Sequence, residues 1–343
     1  MSAAPVRVLM ITSEWASDPG HTAHFIARQV RFLRAAGVHV DVFSFRGGRH
    51  PLRYLAAWAR LRRRLSRAGV RYDLVHAQFG QSGLLALPKR LPLVVTFRGD
   101  DLFGILGRDG HPTAAGRLLQ RLSRLVARQA DAAILVSAHL QRYLSDSVAT
   151  HIVPSGLDLD LFRCIPRDEA REHLGLPREG RRILFVGDPA DPRKRYDLAR
   201  EAVKRLNRNR AAELVIGWRV PHDKMPFYMN ACDALVFTSR EEGSPNAVKE
   251  ALACDLPVVS VAVADVPLRL QGIPGCEVCA DDSPEAIAAA LDRTLRRDAR
   301  CGGRGREAAR QLDERLLTAR VIEIYESVLA HTNGHRRLAR ANV

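Results

Sequence analysis

Apolar positions along this chain switch repeatedly between two periods. Val6 to Ile11 reads as a buried strand, and from Ala23 to Ala36 the residues Ile26, Val30 and Leu33 recur at helical spacing until Gly37 stops the helix. Val38, Val40 and Val42 resume a strand, Leu74 to His76 makes another and Leu93 to Phe97 a fourth, with helical patterns between them. A second series begins after Gly175, with strands expected at Ile183 to Val186, Leu214 to Ile216, Ala234 to Phe237 and Pro257 to Val261. Strand and helix in alternation predict parallel sheets covered on both faces, here an α/β chain of two doubly wound, Rossmann-like domains. The turn residues Pro154, Ser155 and Gly156 put the boundary between His151 and Pro166. The expected division is 1–165, 166–315 and a C-terminal helix and tail over 316–343, helical to about Leu329 and frayed from His331. Doubly wound sheets bind ligands beyond the carboxyl ends of their strands. Two such domains should therefore face each other across a cleft and carry their functional residues in strand-to-helix loops.

Composition narrows the class. At 343 residues the chain is too long for one compact core, and 46% hydrophobic with 27% charged residues is ordinary globular usage. No apolar run nears 18 residues, so we expect a cytoplasmic protein. Among six cysteines only Cys276 and Cys279 have metal-ligand spacing, and no second pair completes a tetrahedral set, so reduced thiols are expected.

Charge is uneven. Residues 1–165 hold 23 Lys and Arg against 11 Asp and Glu, and the remainder 30 against 27, within a net charge of +15. A basic first half suits an anionic partner, although nearly all its cations are Arg, as a GC-rich genome would also give. From Arg53 to Arg71 there are seven arginines and no acid, while Tyr54, Trp58, Leu61, Leu65 and Ala68 share one face. This basic amphipathic helix fits an anionic membrane surface, an anionic acceptor, or an ordinary surface helix packed on the sheet. Nucleic acid is not expected as a partner, because no recognised module accompanies the charge and aromatics are only 6%.

The loops carry the chemistry. The first, Thr12 to Gly20, lacks the GxGxxG of a dinucleotide site, which argues against a dehydrogenase, though Pro19 and Gly20 permit close backbone approach to a ligand. The stretch Glu242 to Ala253 follows a strand and opens a helix. Free N–H groups at such a helix start, with the dipole behind them, form a phosphate site. Two carboxylates eight residues apart can then divide labour, Glu242 in the loop and Glu250 two turns along, accepting hydrogen bonds from sugar hydroxyls. Exposed helix charges would leave the same pattern.

Glu242 to Val259 resembles the E-x7-E segment of the retaining glycosyltransferases of family 4, preceded by the matching residues Tyr228, Ala231, Asp233 and Ser239. The resemblance extends to Val153, Pro154, Ser155, Gly156, Asp158 and Phe162, similar to an interdomain "PNGVDxxxF", and to Thr96, Phe97, Gly99 and Asp101, similar to "TFHGxD". It covers most of the chain. It implies the GT-B fold and transfer, with retention, from a nucleotide-sugar donor to a glycan or lipid-linked acceptor, in cell-wall or polysaccharide synthesis, with no cofactor and no obligatory metal. By the same resemblance Glu242 would contact the donor sugar and Glu250 the ribose, while Gly243, Ser244, Pro245 and Asn246 would present the donor loop; Gly20, from its own loop, is a further donor-side candidate. Lys194 would meet the diphosphate. Asp188 stands where the family has Arg, so Arg193 or Arg195 would have to substitute. Arg98 stands at the family's histidine and, with Asp101 and His76, is an acceptor-side candidate; His21 and His24 are weaker ones. Asp158 and Asp160 spell DxD, but within the interdomain segment, and no metal is expected there. Two alternatives remain: a nucleotide-sugar epimerase, which shares the fold, and a non-catalytic nucleotide-sugar-binding protein, suggested by Asp188 and Arg98.

Overall fold

The computed structural model describes residues 5–15, 24–48, 50–67, 69, 71–107, 110–297 and 299–341, the last nine of these by backbone alone. Gly20 and His21 lie outside the described residues, as does Ala68.

Two compact units form. The first comprises residues 1–156 and 314–343, the second Leu157–Asp313. In the first, β1 (Arg7–Thr12), β2 (His39–Ser44), β3 (Leu74–Gln78), β4 (Leu93–Phe97), β5 (Ala132–Leu135) and β6 (Thr150–Ile152) build one parallel sheet in the order β2-β1-β3-β4-β5-β6. Its inner strands β1, β3, β4 and β5 are buried on both faces, successive side chains pointing into opposite cores, while the edge strands β2 and β6 are partly exposed. Leu9, Ile11, Val75, Ala77, Val95 and Phe97 enter one core, and Val8, Met10, Leu74, Val94 and Ile134 the other.

The second unit holds β7 (Arg181–Val186), β8 (Ala212–Gly217), β9 (Ala234–Phe237), β10 (Val258–Ser260) and β11 (Glu277–Val278), all parallel, in the order β11-β10-β9-β7-β8. Read from its first strand, the second sheet runs 2-1-3-4-5 and the first follows the same order with a sixth strand added, so the direction of winding reverses between β1 and β3 and again between β7 and β9. Such switch points leave a crevice at the carboxyl end of the sheet.

The observed boundaries differ from 165 and 316. Leu157, Leu159 and Phe162 are buried in the second unit's core, which moves the first crossing back to Gly156. After Asp313 the chain returns to the first unit as the helix Glu314–Ala341, whose Leu317, Val321, Ile324, Tyr325 and Val328 pack under that unit's sheet. Their three- and four-residue spacing gives one apolar stripe, and each buried side chain contributes roughly 1.5–3 kcal/mol. The helix is therefore part of the first domain. The tail expected to fray from His331 continues it to Ala341, with no proline to interrupt the backbone ladder.

Candidate active site

In the second unit the loops after β7 and β9 meet at the switch point. Lys194, in the β7 loop, places Nζ 2.6 Å from Glu242 Oε1 in the β9 loop, and Arg193 Nη1 lies 3.7 Å from Oε2 of the same carboxylate. The backbone between them is tightly specified. Gly187 has φ 146°, and a Cβ there would sit 3.2 Å from Lys194 Cγ. Arg195 takes the left-handed conformation at φ 50°, and its Nε donates to Thr238 O at 2.6 Å. Thr238 Oγ1 donates to Lys194 O at 2.8 Å, and Arg240 N to Arg193 O at 2.9 Å. These bonds stitch the two loops together and turn Lys194 back over the sheet.

Glu242 is only 9% exposed. Burial pushes its carboxyl up, but the charges of Lys194 and Arg193 and the bonds from Lys194 and Ser239 outweigh that and hold it below the usual carboxylate range. It is therefore an ionised carboxylate at neutral pH, faced by two cations. Of the substitutes expected for the acid at 188, Arg193 stands in this cluster, whereas Arg195 is directed to Thr238 O and, at 2.6 Å, to Asp282. Asp188 Oδ1 accepts from Ala190 N at 2.9 Å and shapes the turn instead.

Glu242 leads into the helix Asn246–Ala253. Pro245 occupies its N-cap with no side-chain hydrogen bond, and its first turn carries no acid. The positive end of the helix dipole thus has no side-chain cap from Pro245 and no acid in its first turn, as suits an anion site. Around it, Ser244 Oγ donates to Asp265 Oδ2 at 2.9 Å, and Asp265 lies in the loop after β10. Asn246 Oδ1 and Asp265 Oδ1 are buried and receive no hydrogen bond, so the loop keeps two acceptors for which a hydroxyl-bearing ligand is a suitable donor. Gly243 is buried. Glu250, two turns along, is 6% exposed, and His222 Nε2 from the loop after β8 stands 3.3 Å from its Oε1. Four consecutive loops across the sheet therefore contribute to one rim. Sequence reading missed His222, Thr238 and Asp265, because each is recognisable only through the strand order that brings its loop alongside.

The first unit's candidates are placed differently. His76 is fully buried, its Nδ1 2.6 Å from Tyr325 Oη and its Nε2 2.7 Å from Thr96 Oγ1. Burial, then the Arg98 charge, lowers its pKa to about 3, so the ring is neutral and serves the core rather than a ligand. Asp101 is 1% exposed and accepts from the N–H groups of Gly80, Arg98 and Gly99 at 2.9–3.1 Å, bracing the loops after β3 and β4. Burial pushes it up to about 6, against the pull of those three bonds. Of these three, Arg98 is the least buried. It bonds Gln78 Oε1 and Ser155 Oγ, lies 4.4 Å over the Phe25 ring, and lines a recess with Gln29, Pro154 and Glu314. Burial draws its pKa down to about 10, so it keeps its charge. His24 is an exposed residue at a helix start.

Of the two thiols with metal-ligand spacing, Cys276 Sγ is 3.8 Å from Cys301 Sγ, and Cys279 is buried. Among the described residues no group of three or more His, Cys, Asp or Glu side chains is gathered as a metal would need. None of the described helices is long and apolar enough to cross a membrane.

Two parallel sheets of matched winding, the second with an anion-ready helix start at its switch point, define the class as the GT-B glycosyltransferase architecture. Residues 5–161 match the model for Glycosyltransferase Family 4 and residues 182–297 that for Glycosyl transferases group 1, and the chain belongs to this family of glycosyltransferases. It is 26% identical to a putative teichuronic acid biosynthesis glycosyltransferase, TuaC, of Bacillus subtilis, over 61% of this chain and 60% of that one. It is 29% identical to a D-inositol 3-phosphate glycosyltransferase of Catenulispora acidiphila, over 69% of this chain and 68% of that one. The match thus spans about three fifths to two thirds of these curated relatives. The fold superposes on sucrose-phosphate synthase from Thermosynechococcus elongatus with a TM-score of 0.79 at 18% identity, covering 95% of this chain and 100% of the other.

Proposed function

We propose that the protein transfers a glycosyl group from a nucleotide-sugar donor to a hydroxyl of an anionic glycan or lipid-linked acceptor, with retention of anomeric configuration. The observation that carries this reading is the Lys194–Glu242 pair at the head of an uncapped helix. A diphosphate seated there would meet Lys194, Arg193 and the free N–H groups of the first helical turn. Charge grows on the leaving diphosphate as the bond between the anomeric carbon and the phosphate oxygen breaks, and these groups stabilise it most at that moment. The acceptor oxygen would attack from the same face, passing its proton to the departing phosphate oxygen. No metal is required, because two side-chain cations and a helix start stand where one would act. Glu242 and Glu250 would hold the hydroxyls of sugar and ribose.

The acceptor class is supported by the basic first half of the chain and by relatives named for teichuronic acid and for inositol 3-phosphate, both anionic. The test is a thermal-shift screen against UDP-, GDP-, ADP- and TDP-sugars, followed by Glu250→Ala, which should weaken donor binding about tenfold or more. Unchanged binding in that variant refutes the reading, and sugar interconversion without any acceptor would make the protein an epimerase.

A surface role for the basic helix rests on a separate observation. In the helix Pro51–Leu65, Ala57 and Leu61 are buried and Tyr54, Trp58 and Leu65 pack against the sheet's core, so its main apolar face is used internally. Leu52 at 77% exposure and Leu55 at 61% nevertheless face solvent, together with the exposed Arg53, Arg60, Arg63 and Arg67. We propose that this face meets anionic lipid, each cation near the surface contributing about 1 kcal/mol. Co-sedimentation with vesicles containing anionic lipid should fall for Leu52→Asp with Leu55→Asp; undiminished binding refutes it.

A further inference from the structure

Glu250 is the deeper of the two donor-side carboxylates, and its surroundings are asymmetric. It sits on the second turn of the Asn246–Ala253 helix with 8% of its side chain exposed. A carboxylate so far out of water needs hydrogen-bond donors, and the geometry of those donors decides where its lone pairs point. His222 Nε2, 3.3 Å from Oε1, is one such donor, and it arrives from a different element, the loop after β8. The imidazole is itself held. Its ring lies edge-on to Phe162, with 5.2 Å between centroids and 68° between planes, and Phe162 is fully buried. The loop is sharply bent as well, with Arg219 in the left-handed region at φ 55°. Strained backbone of that kind persists where neighbouring structure over-determines it, and it concentrates at functional sites.

A loop held by an aromatic contact therefore presents a ring nitrogen to one oxygen of a nearly buried carboxylate. Fixing Oε1 fixes the rotation of the carboxylate plane, and with it the direction in which the remaining lone pairs meet a ligand. Without that bond the Glu250 side chain regains rotamers that a pair of vicinal hydroxyls cannot use.

We infer that His222 is the positioning residue for Glu250, holding its carboxylate in the orientation that recognises the ribose hydroxyls of a nucleoside diphosphate. The assignment rests on the donor-side reading of Glu250 given above and adds the group that tunes it. His222 touches no reacting atom in this scheme, so its loss should change the discrimination between ribose and deoxyribose more than the folding of the unit.

The experiment measures binding of UDP, GDP and ADP, each against its 2′-deoxy form, to the full chain and to His222→Leu, His222→Gln, Glu250→Gln and the His222→Leu/Glu250→Gln double variant. The wild type should prefer the ribose form about tenfold or more, since one charged hydrogen bond is at stake. His222→Leu should lose most of that preference while binding the deoxy form as the wild type does. His222→Gln, which keeps an N–H donor, should recover part of it. The double variant should be no worse than Glu250→Gln, because the two residues act as one unit. Retained ribose preference in His222→Leu, equal loss of both forms, or additive losses in the double variant would each overturn the assignment. If the wild type shows no ribose preference, or Glu250→Gln keeps it, the reading of Glu250 fails first and that of His222 with it. Should His222→Leu not fold, His222→Asn, whose shorter amide falls short of Oε1, makes the same comparison.

Discussion

Replacing Lys194 by methionine keeps much of the side chain's apolar volume and removes the ammonium 2.6 Å from Glu242 Oε1. Arg193, 3.7 Å from the other oxygen, would remain as a compensating cation. Removing one member of a fully buried pair costs about 3–5 kcal/mol. Here Glu242 keeps 11% of its side chain exposed and Lys194 20%. With Arg193 still present, we expect about 2–3 kcal/mol at pH 7, a fall in Tm of roughly 4–12 °C for a unit of this size.

The sign of the pH dependence separates this account from simple loss of packing. In the wild type Glu242 is held below its unfolded-state value, so it contributes stability that is present above the unfolded pKa and lost as pH falls through the folded one. In Lys194→Met burial would dominate and raise the carboxyl, so the charge destabilises at neutral pH and the penalty fades once the group is protonated in both states. The difference in Tm between the two proteins should therefore be greatest near pH 7 and already be smaller at pH 4, because the variant's raised carboxyl takes up its proton above the unfolded value of about 4.3. Differential scanning calorimetry at pH 7 and pH 4 measures it. An equal deficit at both values would show that the ammonium acts only by filling space, and the electrostatic account of the site would fall.

Other expectations concern the first unit. His76, buried neutral with a pKa of about 3, lets the unfolded state take a proton first, so stability should decline as pH falls below about 6.5, by about 4 kcal/mol at pH 3.5. His76→Gln should flatten that part of the urea-midpoint profile, and an unchanged slope would refute it. The Arg28–Glu314 pair is 5% and 4% exposed, with Arg28 also donating to Gly156 O, so Arg28→Ala should cost about 3–5 kcal/mol in urea unfolding, and a loss under 1 kcal/mol would contradict it. A Cβ on Gly156 would meet Glu314 Oε2 at 2.6 Å and Glu314 Cα at 2.8 Å, so Gly156→Ala should lower stability by about 1–3 kcal/mol, and a neutral effect by calorimetry would show that the crossing segments yield.

Local pattern carried much of this protein. The strands with strongly apolar runs, β1, β3, β4, β7 and β9, lie where periodicity puts them, because a strand buried on both faces must be apolar at nearly every position. Some of the short strands escaped: β5 spans four residues, β6 only Thr150–Ile152 and β11 two, too few for a period to register. Spacing likewise put Glu242 in a loop and Glu250 two turns into the helix after it, since eight residues on one loop and helix keep a constant relation whatever surrounds them.

What the chain order could not contain was which loops become neighbours. The pairing of β7 with β9 brings the loop of Arg193 and Arg195 beside Glu242, the left-handed turn at Arg195 then directs that side chain to Thr238 O and leaves Arg193 at the carboxylate, and the placement of β8 next to β7 brings a histidine to Glu250. His76 was legible as a strand-end residue, yet only the return of the C-terminal helix, with Tyr325 against it, buries it as a neutral core group. Composition and periodicity are properties of neighbouring residues, so the sequence by itself determined the α/β class, the pair of sheets and the carboxylate spacing. Charge state and orientation at the site depend on groups tens to hundreds of residues apart, and the tertiary packing of strands and returning helix decided them.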